Sequence, residues 1–276
     1  MVKKRLIFTL LFDRGYFMLS RNFRLQRVGD LDWLIRNYDF ARTTAQIDEL
    51  VLLNVERNPT MQDGFVSHLR QLCDFCFVPV TAGGGIRHEV DARLLLSNGA
   101  DKVLVNTLAV HHQVELYKIV EKYGQQSVVL GVDVKRIEGT YRAFTYAGSE
   151  EVRRSPKEHF LHLNDLPAGE WLMTSIDRDG TGQGFDSQIL DLLPTNFNRP
   201  LILTGGASKP EHFPELLWDP RVSGLATAHL FNFVGDGLKS VRQTLQRSGH
   251  SMPNWNFDET RRLRAEAIGS SGSPDA

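Results

Sequence analysis

The sequence predicts an α/β fold, a single closed (β/α)8 TIM barrel, on three observations. Short apolar runs alternate with amphipathic stretches of helical period, eight such runs can be counted, and two related glycine clusters lie about half a barrel apart. The alternation means parallel strands joined by crossover helices, because a strand covered on both faces reads as a continuous apolar run. Eight parallel strands with no strand running the other way can close on themselves, and the helices then form an outer ring.

Taken in order, the strands are Arg5–Leu10, Glu49–Asn54, Val78–Thr81, Lys102–Asn106, Ser127–Asp133, Glu170–Ser175, Leu201–Thr204 and the short Gly224–Ala226. Helical periodicity falls on Met61–Leu72, Val90–Asn98, Val110–Tyr123, Pro156–Asn164, Gln188–Leu193 and Gly237–Arg247. The barrel is expected over residues 1–247. Residues 248–276 mix Ser, Gly, Pro and charge without apolar periodicity, and are expected to form a disordered tail.

Composition excludes several classes. The chain has 276 residues, 41% hydrophobic, enough for one sizeable core. Its 32 basic and 33 acidic side chains nearly cancel, so counterion-driven nucleic-acid binding has no footing. The apolar stretch before Asp13 is too short for a signal peptide or a membrane span, which points to a cytoplasmic protein. Cys73 and Cys76 have C-x-x-C spacing, but no second pair completes a zinc tetrahedron and the pair precedes a strand, so they read as near-core thiols. His111 and His112 read as surface residues, and Trp218, Phe231 and Phe233 as packing against the last helices. Neither metal nor cofactor is expected.

Barrels of this kind place chemistry at the C-terminal ends of their strands. Gly84-Gly85 after strand three and Gly205-Gly206 after strand seven let backbone N–H groups approach an anion closely. Asn106 and Thr107 after strand four, and Asp179 and Gly180 after strand six, add donors on neighbouring strands. Ala228 and His229 would open a short helix beside the second cluster. The pattern suggests two anion sites facing each other across one mouth.

Five segments then carry a specific resemblance: Ala82–Arg87 (AGGGIR), Gly99–Thr107 (GADKVLVNT), Val132–Arg136 (VDVKR), Thr174–Thr181 (TSIDRDGT) and Thr204–Phe213 (TGGASKPEHF). In this order and spacing the chain resembles HisF, the cyclase subunit of imidazole glycerol phosphate synthase, in register from about Lys4 to Phe233. That resemblance implies a barrel of the ribulose-phosphate-binding type and a bis-phosphorylated ribulosyl aminoimidazole carboxamide nucleotide as ligand. Gly84, Gly85, Asn106 and Thr107 would serve one phosphate. Asp179, Gly180, Gly205, Gly206, Ala228 and His229 would serve the other, although family members usually carry a small hydroxyl residue where His229 stands.

The resemblance also implies a pair of catalytic aspartates ending strands one and five. Asp133 matches the second, but the first has become Leu11, and a lysine of the following loop has become Leu19. Leucine cannot exchange a proton, so ordinary ring closure is expected to be crippled unless Asp13, two residues on, substitutes. At the strand starts, Arg5, Glu49, Lys102 and Glu170 match the family's charged ammonia gate, and Asp101 a residue facing the HisH-like glutaminase partner.

An intact gate with half the acid–base pair missing resembles a diverged HisF-like branch found with lipopolysaccharide O-antigen genes. The Leu10-Leu11 pair and Arg154-Ser155-Pro156 share that likeness. It implies ammonia supply to a separate sugar amidotransferase for amidino-sugar synthesis. Two other expectations remain open: a working histidine-pathway cyclase, and a non-catalytic scaffold that only activates a glutaminase.

Overall fold

The structure is a computed structural model, described over residues 3–37, 44–56, 63–228 and 237–253. Eight parallel strands close into a barrel: β1 (Arg5–Asp13), β4 (Glu49–Asn54), β5 (Val80–Gly83), β6 (Lys102–Val105), β7 (Val128–Ile137), β10 (Glu170–Ser175), β11 (Leu201–Thr204) and β12 (Val222–Thr227). Closure is direct. β1 pairs with β4 on one side and with β12 on the other, through registers such as Leu11↔Leu53 and Ile7↔Ala226. All eight strands expected from the apolar runs are present, and β5 and β11, which carry the two glycine clusters, stand four strands apart on opposite walls.

Around the barrel lie α1 (Leu31–Asn37), α2 (Asp63–Cys73), α3 (Glu89–Ser97), α4 (Thr107–His111), α5 (Gln113–Tyr123), α6 (Pro156–Asp165), α7 (Pro214–Leu217) and α8 (Gly237–Arg247). Helix α6 begins with Ser155 accepting the Glu158 N–H and Glu158 reaching back, a capping box with proline in the first turn. The helix expected over Val110–Tyr123 is two helices, α4 and α5, broken at His112. The segment expected over Gln188–Leu193 forms a 3-10 helix at Ser187–Leu192 instead of an α-helix.

Two antiparallel additions were not foreseen. Strand β1 runs beyond Leu10 to Asp13 and turns back into β2 (Tyr16–Arg21) and β3 (Arg24–Gly29). Strand β7 likewise turns back into β8 (Thr140–Thr145), which pairs with the short β9 (Glu150–Glu151). In the first hairpin Asn22 and Phe23 both adopt positive φ, 52° and 62°, the conformation a two-residue hairpin turn requires.

Alternation along the strands divides the apolar residues in two. Leu6, Phe8 and Leu10 point outward into the large core shared with the helices, whereas Ile7 joins Val51, Leu104, Val129, Leu172, Ile202 and Ala226 inside the barrel. Cys73 and Cys76 are half-buried against the outer core, and burial pushes the Cys73 thiol up to about 11. Trp218, expected to pack against the last helices, is 61% exposed and stacks on His250 just past α8, with ring centroids 4.3 Å apart. Phe231, Phe233 and His229 lie outside the described residues.

The segment expected as a tail is described as far as Pro253, and residues 248–253 pack on the barrel floor. Met252 and His250 are buried, Lys4 N–H donates to Ser251 O at 2.9 Å, and Arg242 donates to Pro253 O at 3.0 Å. The same arginine anchors the floor through Asp48, whose carboxylate receives Arg242 at 2.6 Å and the Leu6 N–H at 2.8 Å. Both side chains are buried, so removing one strands the other. Asp48→Ala is expected to cost about 3–5 kcal/mol in chemical denaturation, well above a substitution at the exposed Asp32.

Candidate active site

The inward-facing residues form levels along the barrel axis. At the strand starts Arg5, Glu49, Lys102 and Glu170 meet in one ring of alternating charge. Arg5 donates to Glu49 at 2.7 Å and to both carboxylate oxygens of Glu170. Lys102 donates to Glu49 at 3.2 Å and to Glu170 at 3.1 Å. Thr81 and Ser223 complete the shell, donating to Glu49 at 2.6 Å and Glu170 at 3.3 Å. Burial pushes the Glu170 carboxyl up, but hydrogen bonds and charge from Arg5 and then Lys102 outweigh it and hold the group below its ordinary range. The four residues named from sequence are therefore brought together, and each cation touches both anions.

Above this ring lies the apolar layer of seven side chains around Ile7 and Val51. Next comes Thr9, on the same side of β1 as Arg5 and Ile7. It is buried, and its hydroxyl has no hydrogen-bond partner among the described residues. Sequence reasoning passed over it, since a lone threonine in a strand carries no signal.

At the mouth, Leu11 on β1 and Asp133 on β7 stand on opposite walls. Leu11 is buried, between its cross-strand partners Leu53 and Met18. Leu19 packs partly buried against the outer core. Asp133 accepts the Asn106 amide N–H at 2.9 Å. Burial pushes its carboxyl up to about 6, against hydrogen bonds from Thr174 and Asn106 and with a smaller push from the charge of Asp179. Asp13 shares the inward side of β1 with Leu11 and lies 3.3 Å from the Arg14 guanidinium.

The glycine loops are built for close approach. Gly84 and Gly85 have φ of 90° and 79°, and Gly205 and Gly206 of 102° and 101°. A Cβ on Gly84 would stand 1.9 Å from Asn54 O, and one on Gly206 2.1 Å from Gly184 O. Asn106 is committed to Asp133 and to Phe144 O, while the Thr107 hydroxyl accepts the Tyr146 N–H at 3.0 Å. Asp101 accepts the Val80 N–H at 2.8 Å at the strand-start end. Ala228 follows β12 at the mouth.

Asp179 is bonded to the β2–β3 hairpin. Its carboxylate accepts the Ser20 hydroxyl at 2.5 Å and the Phe23 N–H at 3.1 Å, and its carbonyl accepts the Asn22 N–H at 2.9 Å. Asn22 also donates to Ile176 O and Asp177 O. The β2–β3 hairpin, rooted on β1, therefore spans the mouth and is latched to the loop after β10. Phe23 lies against Gly148 and Ile176 of the far rim. The alternating Tyr16–Val28 pattern around Asn22 was the signal that would have predicted this hairpin.

A closed barrel with a charged floor, an apolar bore and a glycine-lined mouth defines the class: a (β/α)8 barrel suited to anionic ligands. Comparison with known proteins narrows it. Residues 34–235 match the family model described as "Histidine biosynthesis protein". The chain is 44% identical over 256 residues, 92% of its own length and 95% of the relative's, to a protein of Parasynechococcus marenigrum (strain WH8102) provisionally named imidazole glycerol phosphate synthase subunit hisF2. It is 35% identical over 202 residues (73% and 80%) to the imidazole glycerol phosphate synthase subunit HisF of Chlorobium phaeovibrioides, and 32% over 250 residues (90% and 98%) to that of Saccharolobus solfataricus. The chain belongs to the HisF family of histidine biosynthesis proteins. No helix among the described residues is long and apolar enough to cross a membrane.

The raised Asp133 pKa has a stability consequence. A carboxyl near 6 when folded and near 3.8 when unfolded binds more protons in the native state between those values, so stability falls as pH rises through this window. Asp133→Asn is therefore expected to stabilise the protein at pH 8 by on the order of 2 kcal/mol. The gain should shrink as pH falls from 6 to 4, as followed by denaturant melts across pH.

Proposed function

We propose that this chain receives ammonia from a HisH-like glutaminase at the strand-start end of its barrel and delivers it to the mouth without closing an imidazole ring itself. The observation that carries the reading is the pairing of a complete four-member gate with Leu11 opposite Asp133. Ring closure needs a second proton-transfer group on the β1 wall, and a buried leucine between Leu53 and Met18 provides none. Ammonia transit needs only a gate and an apolar bore, which a small neutral molecule crosses far more cheaply than a charged one.

In this reading the glycine loops, with Asn106 and Thr107 on one side and Gly180 and Ala228 on the other, hold a phosphorylated ligand. Asp179 acts through the hairpin, and Asp133 is the carboxylate on which any retained proton transfer depends. Asp101 faces the glutaminase. The acceptor of the ammonia is a separate sugar amidotransferase of the amidino-sugar route, in keeping with the Leu10-Leu11 and Arg154-Ser155-Pro156 likeness. The name hisF2 of the Parasynechococcus marenigrum relative is compatible with a second HisF lineage.

One observation favours a second reading, the working cyclase. Asp13 lies on the inward side of β1, and its Oδ1, 3.3 Å from the Arg14 guanidinium, accepts no hydrogen bond among the described residues. Against it stands the two-residue displacement beyond Leu11, which moves the carboxylate toward the base of the hairpin, where it faces Tyr16.

The purified chain, given the bis-phosphorylated ribulosyl substrate and ammonium salt, is expected to turn over at least roughly 10²-fold below a HisF that keeps both aspartates, as followed by imidazole product formation. Leu11→Asp should raise that rate. Normal turnover by the unaltered chain, abolished by Asp13→Asn, would overturn the proposal in favour of the cyclase. With a glutaminase bound, Lys102→Ala should alter the share of ammonia delivered while leaving glutaminase stimulation in place, an outcome that pure scaffolding does not produce.

A further inference from the structure

Outside the mouth, a groove of about 520 Å³ lies on the rim between the start of α3, the α4–α5 junction and the loop leading into α6. Its volume falls within the range of small-molecule sites, roughly 300–1,000 Å³. The polar lining comes from His88, His111, His112, Gln113, Arg154 and Glu115, with Val110 and Val114 as its apolar part.

The lining holds one fixed positive charge, Arg154, and one acid, Glu115. Glu115 is engaged by its neighbours: Lys118 approaches one oxygen at 2.6 Å, and the other accepts the Glu89 N–H at 3.0 Å and lies 3.9 Å from His88 Nδ1. Glu89, the neighbouring acid, is held by Lys122 at 2.9 Å and by the Tyr123 hydroxyl at 2.8 Å. Arg154 has no hydrogen bond or close ion pair among the described residues, and its charge acts on Glu158, which is held below its ordinary range first by Ser155 and then by Arg154. Its field is visible behind the groove, where burial first and Arg154 second push His159 down to about 4.

We propose that this groove is a second anion site, separate from the mouth, that takes the phosphate group of a small polar ligand. Arg154 supplies the fixed positive charge and a planar fork of donors suited to phosphate oxygens. The three imidazoles supply further N–H donors from two other elements, so an anion in the groove is approached from α3, from the α4–α5 junction and from the loop before α6. The site is tied to the mouth by the five-residue α4, which begins at Thr107 and ends at His111. Tyr146 bridges the same two residues, with its N–H on the Thr107 hydroxyl at 3.0 Å and its ring 5.6 Å from that of His111. Occupancy of the groove is thus placed to bias the position of Thr107. The inference does not depend on ammonia transit or on ring closure.

Inorganic phosphate is the probe, titrated into the isolated chain at constant ionic strength held with potassium chloride, with the imidazole and backbone amide resonances followed by NMR. The His88, His111 and His112 ring signals are expected to shift saturably. In Arg154→Gln the midpoint of that titration should move up by about tenfold or more, whereas the Gly85 and Gly206 amides, which report on the mouth, keep their response. Arg247→Gln, on a distant helix end, should change nothing. Imidazole signals that do not saturate, or that respond identically in Arg154→Gln, would overturn the proposal and leave the reading of the mouth untouched.

Discussion

Strand β1 is hydrogen-bonded along both edges, to β12 and to β4, and this double pairing closes the sheet. Closure fixes more than shape. Once β1 is held at both edges its residues can only alternate, so Arg5, Ile7, Thr9, Leu11 and Asp13 all face inward at successive levels. One strand thus contributes to the charged ring at the floor, to the apolar bore, to the unpartnered hydroxyl above it and to the wall opposite Asp133. It also supplies the root of the hairpin that crosses the mouth. A one-residue slip in either pairing would replace this whole column with Leu6, Phe8 and Leu10.

The barrel is polarised along its axis for electrostatic reasons. Charge at the floor is tolerated because two cations and two anions alternate, so each buried carboxylate has two positive neighbours and a hydroxyl. Seven apolar side chains then separate this ring from the mouth. Asp133, on the far side of that layer, has no cation comparable to Arg5. Burial therefore dominates and raises it to about 6, while Glu170 at the floor goes the other way. The same residue chemistry gives opposite proton affinities because only one end of the barrel holds compensating charge.

The hairpin adds a constraint that local preference would not choose. Phe23 has φ of 62°, unusual for a bulky side chain. It is held by Asp179, Asn22 and contact with the opposite rim. Backbone strain that survives is strain that tertiary contacts outweigh. In this case those contacts join the β1 and β10 sides of the mouth, which makes Asp179 a latch for the cover of the site.

The sequence by itself determined the eight-strand order, because strands buried on both faces must be written as apolar runs, and the glycine loops, because φ near 90° beside a neighbouring backbone excludes a side chain. That Arg5, Glu49, Lys102 and Glu170 would meet came from the family resemblance, since charged residues at strand starts taken alone are as readily solvated. The two antiparallel hairpins join neighbouring segments and the first was open to a local reading around Asn22, whereas the exposure of Trp218 and the docking of residues 248–253 depend on contacts between segments far apart in the chain. The tertiary structure likewise decided that Asp179 binds the hairpin and that the Thr9 hydroxyl is left without a partner. A residue's type and spacing limit what it can bond, but which atoms arrive within 3 Å of it is settled only when the barrel closes.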